Sequence, residues 1–240
     1  TGRPSSRGRS SFRLRTRSMA EWRRIDREVP GLDVSWCGGL IWDLPPEQLE
    51  AYALEHSSWG YGIRRVDRAG ALRIEPNIKQ PPDFALHVAE EGKVEPLAAA
   101  AAFLAGAEAM GVTVLRNSPV KWLEEKNGRI TGVCINDGVL HADDVVIAAG
   151  AGAATLLGSI GMSYDIGAPA GLLVHSKPTG EILHTLLMTP DLHVRQTSDG
   201  RLVAGADFSG SDPADDPRGA AAALYQKVQN MVIGADQVEM

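Results

Sequence analysis

Cysteine is almost missing from this chain. Cys37 and Cys134 are the only two, far apart and outside any CxxC pair or His-bearing cluster. That excludes a disulfide-built scaffold and a structural zinc site, and it fits a reducing compartment. Aromatic residues are only 5% of the sequence, so there is no row of stacking rings of the kind that single-stranded nucleic-acid binders use. No apolar run approaches the roughly 18 residues that span a bilayer, and the basic start lacks the apolar segment a secretory signal requires. The expectation is a cytoplasmic protein with no membrane span. GxGxxG is absent from the chain, as are HExxH and H-x-E spacings around the six histidines, so no metal site is expected. The first residue is Thr1 and the last segment stops at Met240 without turn or cap, so the chain reads as a piece of something longer.

What is present is the composition of a soluble globular protein, 44% apolar and 22% charged over 240 residues with 26 Gly and 14 Pro. This length admits one large domain or two small ones. The net charge of -6 hides an asymmetry: nine arginines in residues 1–27 stand against Glu21 and Asp26, a local +7 that leaves -13 elsewhere. An arginine-rich arm can bind anionic partners. The alternative is an amphipathic helix built on Phe12, Leu14, Met19, Trp22 and Ile25, with a solvated basic face and Ser5-Ser6-Arg7-Gly8 as the loop feeding it. The helix is adopted, and no nucleic-acid partner is expected.

Along the chain, the alternating stretch Leu32–Trp42 predicts a strand bulged around Gly38-Gly39. Pro45-Pro46 opens a helix to about His56, a short helix is expected at Ile63–Ala69, and Phe84–Val88 is a strand. Pro96 opens a helix of Ala, Leu and Glu that ends at Gly111. Val112–Leu115 is a strand. Residues 119–124 and 129–135 form a hairpin around Asn127-Gly128, the strongest short turn signal in the chain, and 139–142 adds a third strand. Asp144–Ala148 is a continuous apolar run, the pattern of a buried parallel strand, and it leads into Ala149-Gly150-Ala151-Gly152 and a helix through Leu157. Short alternating strands follow at 171–176, 182–188, 192–196 and 201–206, and a helix at about 219–233. The fold class expected is α/β, or α+β overall.

Small residues at a strand end let backbone approach a ligand, and a following helix N-terminus offers free N–H groups. A packing corner without a ligand is the other reading of 149–152. Here a resemblance adds to the local pattern. Gly92-Lys-Val-Glu-Pro96, the Ala-rich helix into Glu108-Ala-Met-Gly-Val-Thr-Val114, Asn117-Ser-Pro-Val120, the Asn-Gly hairpin, Gly138 with Ala142-Asp143, and Val145-Val-Ile-Ala-Ala-Gly150 together resemble the middle of FAD-dependent oxidoreductases of the D-amino-acid oxidase family. Ser5-Ser6-Arg7-Gly8-Arg9 is similar to the loop after that family's second strand, and Leu192–Gln196 with Asp199–Val203 to its substrate-domain hairpin. The resemblance implies FAD as cofactor and a small amine or amino acid as substrate, oxidised at its C–N bond by hydride transfer. It also implies a flavin-type domain from residues 1–30 and 91–158, interleaved with an antiparallel substrate-type domain from 31–90 and 159–240.

By the same resemblance Ser5, Ser6, Arg7, Gly8, Val120, Ala149, Gly150 and Ala151 would contact the cofactor, while no catalytic residue is assigned. Trp42, Trp59 and Tyr61 fall in the stretch that would line the substrate face, with apolar packing as the alternative. The family's glycine-rich ADP site and its carboxylate-binding arginine have no counterpart in these residues, which leaves open a non-catalytic remnant of the fold acting as a structural or interaction module.

Overall fold

The computed structural model describes residues 6–167, 171–206 and 216–240. The chain divides into two compact units, residues 1–110 with 170–240, and residues 111–169. This places α1 (Ser6–Glu28) and α4 (Pro96–Ala109) with the larger sheet, where the expected division put them with the flavin-type segments. Contacts explain α1: Phe12 belongs to the cluster of Leu49, Ile63, Leu86 and Val88. Trp22 and Phe103 bring α4 against α1, with ring centroids 6.1 Å apart.

The larger unit is a seven-stranded sheet of order β2-β3-β1-β8-β9-β10-β7, formed by β1 (Gly39–Ile41), β2 (Ile63–Asp67), β3 (Phe84–Val88), β7 (Leu173–His175), β8 (Leu186–Met188), β9 (His193–Gln196) and β10 (Leu202–Gly205). Every neighbouring pair is antiparallel except β1 and β8, so the sheet is mixed. One face is covered by α3 (Arg68–Ile74) and α6 (Pro217–Met231): Leu40, Val66, Ala85, Leu187, Val194, Leu202 and Ala204 pack with Ala71, Leu224, Tyr225 and Val228. Each large aliphatic side chain so buried contributes about 1.5–3 kcal/mol before entropy. The other face is covered at its β2–β3 end by α1 and by α2 (Pro46–Ser58) through Phe12 and Leu49.

Local chemistry starts the helices as expected. Pro46, Pro96 and Pro217 sit in first turns, where a missing N–H is harmless. Asp67 and Asp216 accept N-capping bonds from Gly70 and Gly219. The expected loop at Ser5–Gly8 is corrected: the chain is already helical from Ser6. The expected helix at Ile63–Ala69 is corrected too, because Ile63–Asp67 pairs residue for residue with Val88–Phe84 as an edge strand and the helix begins at Arg68. Of the stretch 32–42 only Gly39–Ile41 is a strand, with an isolated bridge from Ser35 to Lys93.

The smaller unit is a meander of β4 (Trp122–Lys126), β5 (Arg129–Ile135) and β6 (Gly138–His141), followed by a 3-10 turn at Gly150–Gly152 and the short helix α5 (Ala153–Gly158). Asn127 and Gly128 both have positive φ, 54° and 76°, the primed turn that the Asn-Gly pair predicts. Two expected strands are not formed. Val112–Leu115 and Asp144–Ala148 join no ladder among the described residues. A strand exists only through its pairing, however strong its local propensity; without a partner Val146 is 89% exposed.

Candidate functional site

Two of the surfaces among the described residues, one in each unit, bear on the residues read from the sequence. In the smaller unit a groove of about 570 Å³ is walled by Val120, Leu123, Val133, the run Val145–Ala149, Thr155 and Leu156, with Lys121 as its one charged lining side chain. Val120 and Ala149 thus share one groove, and Gly150 and Ala151 form the turn that continues from it. Ser159 braces this corner, its Oγ accepting from the Leu123 N–H at 3.1 Å and donating to the Leu156 carbonyl at 2.6 Å. Gly150 has φ +53°, and a Cβ built on it meets nothing within 4 Å, so the backbone there faces open space. Ser6, Arg7 and Gly8 are the first residues of α1, in the other unit, and Ser5 lies outside the described residues.

The second surface is the end of the large sheet that α1 and α2 leave uncovered. Register defines it. On this face Gly39 stands beside Leu186, Arg195 beside Val203 and Val203 beside His175; the β8–β9 ladder itself pairs Leu187 with Val194 and Met188 with His193. The next row is Ile41, Met188, His193, Gly205 and Leu173. Leu173 is 63% exposed and His175 is exposed, while Leu186, Met188, His193 and Arg195 are half-buried. The face is therefore aliphatic, with an arginine near its centre and histidines beside and beyond it.

Carboxylates border the first row. The side chain of Glu91 lies 3.7 Å from where a Cβ on Gly39 would be, ordinary contact distance, so it borders the row at this end. The Tyr61 hydroxyl donates to Glu91. Burial pushes the Tyr61 phenol up, and the Glu91 carboxylate pushes it further, so Tyr61 stays a donor. Glu95 grips Arg195 through two contacts, Nη1 to Oε1 at 2.5 Å and Nη2 to Oε2 at 3.3 Å. His193 lies 4.0 Å from Asp43.

Of the three aromatic residues named from the sequence, Trp59 and Tyr61 pack around Phe12, with centroids at 5.2 and 5.7 Å, and His56 joins them. Trp42 packs against both core clusters. Packing accounts for all three. Arg195, Glu95 and Glu91 were not singled out from the sequence: Glu95 and Arg195 are 100 residues apart, and no local pattern announces a pairing of that span.

Comparison with known proteins agrees with this architecture. The family model "DAO: FAD dependent oxidoreductase" matches residues 2–239. The glycine oxidase of Bacillus licheniformis is 23% identical over 233 residues, covering 95% of this chain and 63% of that protein. The hydrogen cyanide synthase subunit HcnC of Pseudomonas aeruginosa is 30% identical over 146 residues, 60% of this chain and 35% of that one. Among solved structures, L-proline dehydrogenase from P. horikoshii superposes with a TM-score of 0.78 at 19% identity over 93% of this chain and 63% of its own. Glycine oxidase from Bacillus cereus gives 0.78 at 18% over 95% and 65%. The chain thus spans less than two thirds of the length of these relatives. With the match running from one end of the sequence to the other, and with the mixed sheet and its helices shared by the solved relatives, the chain belongs to the family of DAO-type FAD-dependent oxidoreductases.

Proposed function

We propose that this chain is part of an FAD-dependent enzyme that oxidises the C–N bond of an amino acid or a secondary amine. The family match over residues 2–239 carries the reading. The names of the relatives support the substrate class: glycine oxidase, L-proline dehydrogenase and L-amino acid deaminase. When bound, a flavin accepts a hydride from the carbon bearing the nitrogen, which releases a proton to leave an imine that water hydrolyses.

The groove of the smaller unit fits a flat, apolar part of such a cofactor. Its walls are aliphatic, and the backbone at Gly150 is open to close approach. Val120, Ala149, Gly150 and Ala151 are assigned to cofactor contact on this ground, and Ser5, Ser6, Arg7 and Gly8 on the resemblance alone. The face of the large sheet beyond α1 and α2 is assigned to the substrate: the half-buried Leu186 and Met188 give a bed for a carbon skeleton, and Tyr61 fixes the Glu91 carboxylate at its margin. The division into a flavin-type part (1–30, 91–158) and a substrate-type part (31–90, 159–240) is kept as a functional assignment, distinct from compactness within these 240 residues. A cytoplasmic location is part of the proposal; no helix among the described residues is long and apolar enough to cross a membrane.

The test uses two proteins, the 240-residue chain and a fusion that places a GxGxxG-bearing dinucleotide-binding βαβ unit before Thr1. The oriented N–H donors that hold a pyrophosphate come from such a turn. The chain alone is therefore expected to retain FAD weakly or not at all, and the fusion to retain it and to bleach anaerobically with glycine, sarcosine or proline. Gly150→Val in the fusion should release flavin. Because Gly150 has φ +53°, any side chain there strains the backbone by about 1–2 kcal/mol, so Gly150→Ala is the control for strain without bulk. A fusion that folds yet neither holds flavin nor is bleached supports the second reading, a non-catalytic module of the same fold.

A further inference from the structure

We propose that the outer edge of β2 is a docking site for an extended acidic segment of a partner protein, which adds a strand to the large sheet and gives its carboxylates to Arg64, Arg65 and Arg73. The inference stands apart from the oxidoreductase reading, because it concerns a surface that neither the cofactor groove nor the sheet face uses.

β2 closes one side of the seven-stranded sheet, with β3 as its one ladder partner among the described residues. In an antiparallel pair, residues turn alternately toward the partner and away from it. The Arg68 N–H donates to the Asp83 carbonyl, one step past the pair of Asp67 and Phe84, so Arg64 and Val66 bond β3 while Arg65 and Asp67 turn outward. At the start of the strand the Ile63 N–H goes to the Tyr61 carbonyl, and the Ile63 carbonyl accepts from Ser57 Oγ. The edge therefore presents the N–H and C=O of Arg65 and the N–H of Asp67, groups that a strand laid alongside pairs directly.

Side chains select the partner by charge. A groove of about 540 Å³ runs between β2 and α3, with Arg64, Arg65, Asp67 and Arg73 in its wall. The Asp67 carboxylate is engaged, accepting from the Gly70 N–H as the cap of α3. Successive strand residues take opposite faces: Arg65 lies over the Phe84 ring, 4.3 Å from its centroid, while Arg64 shares the face of Val66, which packs with Ala71 of α3. Arg73 Nη2 lies 3.6 Å from where a Cβ on Gly70 would be, and the Val66 side chain 3.1 Å from the same point, so the bare glycine lets this guanidinium sit beside the strand. Arg64 and Arg73 join no ion pair among the described residues, and Arg65 meets Glu50 only at 3.8 Å, both side chains being more than half exposed. A strand entering here places adjacent side chains on the two faces, so two consecutive carboxylates reach Arg64 and Arg65 together in forked geometry. A second copy of β2 centred on Arg65 would instead set that guanidinium against its twin, which like-charge repulsion opposes.

The experiment is fluorescence anisotropy of a labelled eight-residue peptide, built of valine and threonine around two adjacent central glutamates, titrated with the whole 240-residue chain. Saturable binding is expected. Replacing both glutamates by glutamine should weaken it about tenfold or more. N-methylation of the four central residues, which keeps the carboxylates and removes the N–H groups, should abolish it. Arg64→Ala combined with Arg73→Ala should also weaken binding at least about tenfold at an unchanged melting temperature, and the peptide should slow hydrogen exchange at the amides of Arg65 and Asp67. Absence of saturable binding overturns the proposal. So does equal binding of the glutamine peptide, which would mean a pairing edge without charge selection, or of the N-methylated peptide, which would mean an anion site without an added strand. Should the double variant fail to fold, these comparisons on the native chain decide alone. If self-association of the chain, rather than the peptide, protects the Arg65 and Asp67 amides, the occupant is a second copy and the proposal fails. No flavin is involved, so neither outcome bears on flavin reduction by the fusion.

Discussion

Two polar groups packed at the large sheet, Glu75 at the end of α3 and His87 on β3, show how single residues set the behaviour of this fold. Glu75 is fully buried, and its carboxylate accepts from the backbone N–H groups of His184 and Thr185 at 2.6 and 3.2 Å and from His184 Nδ1 at 3.1 Å. It ties the end of α3 to the approach of β8, about 110 residues away. His87, opposite Leu40 on β3, is the contrary case: its Nδ1 is buried with no hydrogen-bond partner among the described residues. Burial holds the His87 imidazole below its ordinary pKa of 6.5, and the nearby Arg64 lowers it further. The unfolded chain then takes up a proton that the folded chain refuses, so stability is full above about 6.5 and declines as pH falls through that value toward the folded pKa. Melting temperatures measured across this range should drop more steeply for the native chain than for His87→Gln. Parallel curves would show that His87 is protonated in the fold as readily as outside it.

Among the elements, those with local punctuation were readable in advance and those made by distant pairing were not. The helices α2, α4 and α6 announce themselves by a proline in the first turn, and the β4–β5 hairpin by Asn127-Gly128. Ile63-Arg-Arg-Val-Asp67 carries charges that suit a sheet edge as well as a helix; only its register with Val88–Phe84, some 20 residues on, makes it β2. Of the residues read together from the sequence, Val120 and Ala149 line one groove, whereas the rows of the large sheet draw one residue from each of several strands and leave no local signal. The run Asp144–Ala148 has the sequence of a buried strand and the exposure of a surface. Val146 at 89%, Val112 at 54% and Leu115 at 50% exposure make the smaller unit adhesive. The purified chain should bind a hydrophobic dye such as ANS and elute larger as concentration rises. Val146→Lys should reduce both at unchanged circular dichroism, and an unaltered elution profile would place the adhesive surface elsewhere.

At the scale of the whole molecule, the two units differ in how much of their backbone is secured. The large sheet pairs seven strands and buries Leu40, Leu86, Leu187, Val194 and Ala204 almost completely. The smaller unit has three paired strands, a helix of six residues and the unladdered stretch from Asp144 to Ala149. Local opening follows such differences, and hydrogen exchange reads it amide by amide. Amides of β3, β8, β9 and β10 should therefore exchange slowest, while those of Val145–Ala148 exchange close to the rate of unfolded chain. The flavin reading adds a second expectation for the fusion that supplies the pyrophosphate turn. On adding FAD, protection should appear at Val120–Leu123 and Val145–Leu156, because an ordered ligand in the groove blocks opening of the walls it touches. Protection there without change in β9 and β10 would separate cofactor binding from events on the large sheet. If FAD is retained and these segments exchange as before, the groove is a packing corner and the cofactor is held by other parts of the chain.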